Sequence, residues 1–224
     1  MLQYSANEIS YGVTGVTSPC PAVLTIPETL NGLPVFRVED NAFKENANLE
    51  EVYLPDSILH LEENAFKGCV NLRRIHFYAT SNPAQQITLY RSVFQDCVNL
   101  ECITFEHRGI FFIMYDATRC FAECHKLNTI EADFDYNIPG YTFYHCYELD
   151  NLVFTQALEM MMNGVTFATT SLTGCKKLDN ITLLTNLSSF TPHPVIKRLS
   201  KMNIKSTAKT NVARVFGTKV QILP

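Results

Sequence analysis

Ala42-Phe43-Lys44-Glu45-Asn46-Ala47-Asn48-Leu49-Glu50-Glu51-Val52-Tyr53-Leu54 is a phrase the chain goes on to repeat. It returns as Ala65-Phe66-Lys67-Gly68-Cys69-Val70-Asn71-Leu72-Arg73-Arg74-Ile75-His76-Phe77. Shorter echoes are Val93-Phe94-x-x-Cys97-x-x-Leu100-x-x-Ile103 and Cys120-Phe121-x-x-Cys124-x-x-Leu127-x-x-Ile130. Looser copies are Thr142-Phe143-x-x-Cys146-x-x-Leu149-x-x-Leu152 and Ser171-Leu172-x-x-Cys175-x-x-Leu178-x-x-Ile181. Successive phenylalanine positions are separated by 23, 28, 27, 22 and 29 residues. Self-similarity at such a period marks a solenoid, in which each coil buries its apolar face only against its neighbours.

Within each copy the segments Leu-x-x-Ile-x-Leu/Phe place apolar residues two apart, the spacing of a half-buried strand. Second, shorter strands are expected from Ile58 to Leu61, Ile87 to Leu89, Ile113 to Tyr115 and Val165 to Phe167. The three-residue spacing of Ala-Phe-x-x-Cys suits one turn of α- or 3₁₀-helix. Every coil enters in the same direction, so equivalent strands should pair in parallel. The fold class expected is α/β: a right-handed coil with a parallel sheet on its concave side, short back strands and short helical turns.

Pro27 and Pro55 end their strands, because proline cannot donate to the ladder. Ile9-x-Tyr11-x-Val13 alternates, and residues 1–21 are expected to form an N-terminal cap. The repeats proper run over 22–185. Leu199-x-x-Met202-x-Ile204 restores the strand spacing once more, so 186–224 reads as a degenerate repeat and C-terminal cap. Insertions fall at Thr80–Gln86, Glu106–Gly109 and Gln156–Gly164, the last carrying Met160-Met161-Met162.

Composition narrows the classes of function. Apolar residues make up 46% and charged residues 18% of the 224 positions, which suits a packed core rather than a disordered chain. A net charge of −4 gives no basic footprint for nucleic acid. No apolar run approaches the ~20 residues of a membrane span. The N-terminus lacks the basic start and apolar core of a secretory signal, which leaves cytoplasmic residence or export by another route open.

Five of the eight cysteines, Cys69, Cys97, Cys124, Cys146 and Cys175, share one slot of successive repeats, and Asn46 fills that slot in the first copy. A slot repeated on every coil points one way, so these thiols are expected to be reduced, buried and to act as small hydrophobes.

These residues resemble the BspA-type leucine-rich repeats. The carriers are Val38-x-x-x-Ala42-Phe43, Pro55-x-x-Ile58-x-x-Leu61-Glu62-Glu63-Asn64-Ala65-Phe66-Lys67-Gly68-Cys69 and the recurring Cys-x-x-Leu-x-x-Ile. The likeness covers about residues 22–184. Glu39, Glu62 and Tyr90 stand where the family pattern has glycine after the second strand. The resemblance implies a leucine-rich-repeat solenoid used for adhesion or protein binding, commonly on the surface of bacteria or parasitic protists, without catalytic residues or cofactor.

The candidate binding residues are the outward positions of the main sheet: Tyr53, Arg74, His76, Thr104, Thr129, Glu131, Asn151 and Thr182. Stacked one coil above another, they would form a mixed polar ladder on the concave face, suited to a protein partner. A carbohydrate-binding module is the alternative, with Tyr53, Tyr78 and Tyr90 stacking on sugars. Cys120, Cys124 and His125, or His145 and Cys146, offer ligands zinc accepts, although the spacing is not that of a standard knuckle. Cys102 or Cys120 could serve as a thiol nucleophile. Phosphate loops, nucleophile elbows and zinc-protease motifs are absent.

Overall fold

The computed structural model describes residues 1–7, 9–81, 86–107, 111–114, 116–131, 133–134, 137–154, 166–183, 201–205 and 220–223. In chain order its strands begin with β1 (Leu2–Ala6), β2 (Tyr11–Val16), β3 (Val23–Thr25), β4 (Thr29–Leu30), β5 (Leu33–Val38) and β6 (Glu51–Pro55). Next come β7 (His60–Leu61), β8 (Arg74–Tyr78), β9 (Gln86–Leu89), β10 (Cys102–Phe105), β11 (Phe111–Ile113) and β12 (Thr129–Glu131). The remainder are β13 (Asp133–Phe134), β14 (Asn137–Ile138), β15 (Asn151–Phe154), β16 (Thr166–Phe167), β17 (Asn180–Leu183), β18 (Lys201–Lys205) and β19 (Val220–Leu223).

These strands wind into a β-solenoid. The long sheet has nine parallel strands in the order β19-β18-β17-β15-β12-β10-β8-β6-β3. The second sheet runs β1-β2-β5-β7-β9-β11-β13, parallel from β2 onward, with β4 folded back on β5. Back strands form near the expected places, but the first is shorter, His60–Leu61 rather than Ile58 to Leu61, and the third lies earlier, Phe111–Ile113 rather than Ile113 to Tyr115; Tyr115 and Val165 lie outside the described residues. Met202 and Ile204 stand opposite Ile181 and Leu183, so the repeat register continues past residue 185. The N-terminal pair β1–β2 is an antiparallel hairpin whose second strand joins β5. Ile9 is 74% exposed in the hairpin turn, outside the strand its alternation suggested.

The helical turns expected at Ala-Phe-x-x-Cys are not formed, and the described residues contain no helix, so the expected α/β class gives way to a β-solenoid. The reason lies in the backbone. In each turn segment the residues two before and two after the phenylalanine have positive φ: Asn41 and Glu45, Asn64 and Gly68, Ser92 and Asp96, Arg119 and Glu123, Tyr141 and His145. Left-handed residues four apart prevent a continuous right-handed run. The amides then alternate in use. Those of Lys67 and Cys69 bond three residues back, to Asn64 and Phe66. Those of Asn64, Phe66 and Gly68 point along the solenoid axis to the carbonyls of Arg91, Val93 and Gln95 in the next coil, at 2.8–3.0 Å. The segment is therefore a third ladder between coils, made from turns.

Inside run two kinds of column. Phe43, Phe66, Phe94, Phe121 and Phe143 stack nearly parallel, with ring centroids 5.1–5.5 Å apart. Beside them lie the five slot cysteines, each buried and free of disulfide. They are more than small hydrophobes. Cys69, Cys97, Cys124, Cys146 and Cys175 donate their thiols to the carbonyls of Phe43, Phe66, Phe94, Phe121 and Phe143, one coil back, at 3.0–3.1 Å. Burial, foremost, pushes the thiols of Cys97, Cys124 and Cys146 well above the usual cysteine range.

Candidate functional site on the long sheet

Alternation along each long-sheet strand decides which residues face out. Leu24, Val52, Ile75, Ile103, Ile130 and Leu152 form the buried row. On either side of it run two rows of positions tied by backbone register, which face out where Glu51, Tyr53, Arg74, His76 and Thr104 line the surface. One reads Val23, Glu51, Arg74, Cys102, Thr129, Asn151 and Asn180. The other reads Thr25, Tyr53, His76 and Thr104 on the early strands, and Glu131, Val153 and Thr182 on later ones.

Tyr53, Arg74, His76 and Thr104 come together. With Glu51 and Val52 they line a shallow depression of about 260 Å³. Arg74 meets Glu51 across the strand pair at 3.2 Å, and the Tyr53 hydroxyl donates to the same carboxylate at 3.3 Å. Tyr53 and His76 pack edge to face with centroids 5.4 Å apart. Thr129, Glu131, Asn151 and Thr182 occupy equivalent strand positions by backbone register.

His76 is held at both nitrogens. Nδ1 shares a 2.7 Å hydrogen bond with Thr104 Oγ1, and Nε2 lies 3.1 Å from Glu106 Oε1. A carboxylate only accepts, so Nε2 carries a proton here. The other Glu106 oxygen accepts the Ala79 amide at 2.7 Å. That amide first, and His76 second, hold the Glu106 carboxyl below the usual carboxylate range.

At the C-terminal ends of the same strands lies a second polar group that the sequence reading missed. The Asp56 carboxylate is fully buried. Its Oδ1 accepts the Thr80 amide at 2.9 Å and the Thr80 hydroxyl at 2.6 Å, and its Oδ2 pairs with His107 Nδ1. Close by, the Tyr78 hydroxyl donates to the Ile26 carbonyl at 2.8 Å. Burial, then Glu28 and Asp56, raise the Tyr78 phenol above its ordinary range. These bonds tie Thr80 and His107, each belonging to an insertion, to the residue that follows β6. The one signal in the sequence was indirect: Asp56 follows a strand-ending proline, and His107 lies in an insertion.

The alternative ligand sets fare differently. Cys124 and Cys146 face the core, each bonded to a phenylalanine carbonyl, while His125 and His145 face outward onto Glu123. Among the described residues, no three His, Cys, Asp or Glu side chains are grouped to hold a metal ion. Burial raises the thiols of both Cys102 and Cys120, the direction opposite to that which activates a nucleophile. Tyr53, Tyr78 and Tyr90 are half-buried, not freely exposed sugar platforms.

The winding, the phenylalanine column and the thiol slot define a leucine-rich-repeat protein. Comparison with known families agrees: the profile of the BspA type leucine rich repeat region matches residues 36–173 and 137–216, with six copies. The chain belongs to that family. Among solved structures it is similar to a leucine rich repeat protein of T. pallidum, at 20% identity and a TM-score of 0.61, covering 98% of this chain and 95% of that one. It is also similar to a leucine rich cell surface protein of Faecalibacterium prausnitzii, at 17% identity and a TM-score of 0.56, covering 91% of this chain and 69% of that one. A search of curated proteins finds no match.

Proposed function

We propose that this protein is a non-enzymatic binding scaffold, of the adhesion kind, that seats a protein partner on the outer face of the long sheet. The observation that carries this reading is the depression around Tyr53, Arg74, His76 and Thr104. Its histidine is fixed from both sides and its arginine side chain is 58% exposed, so a rigid polar surface is offered without rearrangement. The ladder would continue through Thr129, Glu131, Asn151 and Thr182. An extended, shallow, mixed surface of this kind suits a macromolecule better than a small ligand, which calls for an enclosed apolar cavity. The F. prausnitzii relative is described as a cell surface protein, and a surface position fits this reading.

The test is affinity capture with wild type and with an Arg74→Glu, Glu131→Arg double variant, followed by titration of whatever wild type retains. A partner that binds wild type and is lost by the variant supports the proposal. Equal binding by both chains overturns it.

A further inference from the structure

The internal repeats supply their own reference for what the fold requires. One position after the thiol slot, the first three coils carry Ala47, Val70 and Val98. Small aliphatic residues therefore satisfy the winding there. The next three coils carry His125, Tyr147 and Lys176 instead.

These three form a column. The His125 and Tyr147 rings stack 4.9 Å apart, and Lys176 Nζ sits 5.4 Å from the Tyr147 centroid. His145 lies 5.3 Å from Tyr147, and Tyr144 stacks 3.8 Å from His145. Tyr141, 37% exposed, continues the run at 5.5 Å with Arg119 over its ring at 4.7 Å. The result is a contiguous strip of aromatic rims and cations on the turn ladder, away from the long sheet.

The strip is rich in donors and poor in free acceptors. Glu123 already receives His125 Nε2 at 3.0 Å and His145 Nδ1 at 3.1 Å, and Glu148 is paired with Lys177. Among the described residues, Arg119, Lys126 and Lys176 meet no carboxylate, and the three tyrosine hydroxyls bond to no protein group. On the earlier coils Arg37, Arg74 and Arg91 are ion-paired, whereas, among the described residues, Lys44, Lys67 and Arg73 stand apart from any carboxylate and from any such run of rings.

We propose that this strip binds an acidic polysaccharide. Its carboxylate or sulfate groups would seat on Arg119 and Lys176, and its hydroxyls on the phenols of Tyr141, Tyr144 and Tyr147. An acidic peptide is the poorer fit. The amides of Phe121, Glu123, Phe143 and His145 all donate to the next coil, so no free backbone edge remains for a peptide to pair with. The proposal is independent of the long-sheet reading and concerns a different surface.

The experiment is calorimetric titration of the whole protein with heparin fragments, polygalacturonate, dextran and polyglutamate. At least one of the two acidic polysaccharides should bind, with affinity falling as salt rises, and dextran should not. The source of the anion, sulfate or carboxylate, is given by which of the two binds more tightly. An Arg119→Glu, Lys176→Glu double variant should weaken binding by about tenfold or more. Tyr147→Phe, which keeps the ring stack, should weaken it severalfold with an unchanged melting temperature. Arg74→Glu should leave it intact, so failure here and failure of the long-sheet proposal are distinguishable. Absence of binding by both acidic polysaccharides, equal binding of dextran or polyglutamate, or full affinity in the double variant would each overturn the inference.

Discussion

The thiol of Cys97 donates to the carbonyl oxygen of Phe66, one coil back, across 3.1 Å. That oxygen also accepts the Cys69 amide of its own coil at 3.2 Å. Both lone pairs of a buried carbonyl are thus satisfied, one within a coil and one between coils. The same arrangement recurs down the column, which makes the cysteine slot a polar rivet set among apolar neighbours.

Removing the donor should therefore carry a cost of its own, separate from that of the lost volume. Cys97→Val, nearly the same size, loses the thiol hydrogen bond and should destabilise by about 1 kcal/mol. Cys97→Ala adds a cavity and should lose about 2 kcal/mol. Urea unfolding midpoints would order the variants as wild type, valine, alanine. Equal stability of valine and wild type would show that the thiol contributes only bulk.

The same burial sets a limit at alkaline pH. Cys97, Cys120, Cys124 and Cys146 have raised pKa values in the folded chain, whereas unfolding returns them to the ordinary range near 9.0. Between the two values the unfolded chain has released protons that the folded chain keeps. Stability is thus unaffected below that ordinary range and falls as pH rises through it, by about 1.4 kcal/mol per pH unit for each thiol. Melting temperatures should hold level to about pH 8 and drop steeply above pH 9. Thiol labelling of the native protein should reach the half-exposed Cys20 and Cys102 and spare the buried six.

Asp56 offers a local test of the loop clamp. Asp56→Ala leaves the Thr80 amide and hydroxyl and the His107 ring without their acceptor, at a cost of about 3 kcal/mol. Amide exchange at Thr80 should accelerate in the variant, while exchange at Ile103 in the sheet centre changes far less. Uniform acceleration along the chain would mean that Asp56 supports the whole solenoid rather than these loops.

Left-handed backbone in the turn ladder can be probed at Gly68, whose φ is +72°. A Cβ there would sit 3.2 Å from Glu45 Cγ, a contact a flexible side chain can relieve. Gly68→Asn should cost under about 1 kcal/mol, since asparagine tolerates this region and other coils place Asp96, Glu123 and His145 there. Gly68→Val should cost about 2 kcal/mol, because β-branching is poorly accommodated at positive φ. If both variants match wild type in urea, the backbone is free to relax.

How much of this was legible beforehand differs from element to element. The parallel long-sheet strands and the shared environment of the five slot cysteines follow directly from spacing. Cys69 through Cys175 could be placed together because a position repeated every coil must face the same neighbours. The Ala-Phe-x-x-Cys segment was misread as helical, since a three-residue spacing fits a helical turn and a chain of separate turns alike. What separates them is the sign of φ at residues such as Asn64 and Asp96, and no hydrophobic pattern encodes that sign.

The linear order of residues by itself determined that the chain must wind, with period, inward rows and outward rows, because apolar residues two apart and phrases some 22–29 residues apart leave no other way to bury them. Only the tertiary structure decided which outward residues meet. Asp56 finds Thr80 and His107, and His125 finds Tyr147, across loops of unequal length. Those meetings depend on which side chains the stacked coils bring side by side, a relation set by packing in three dimensions.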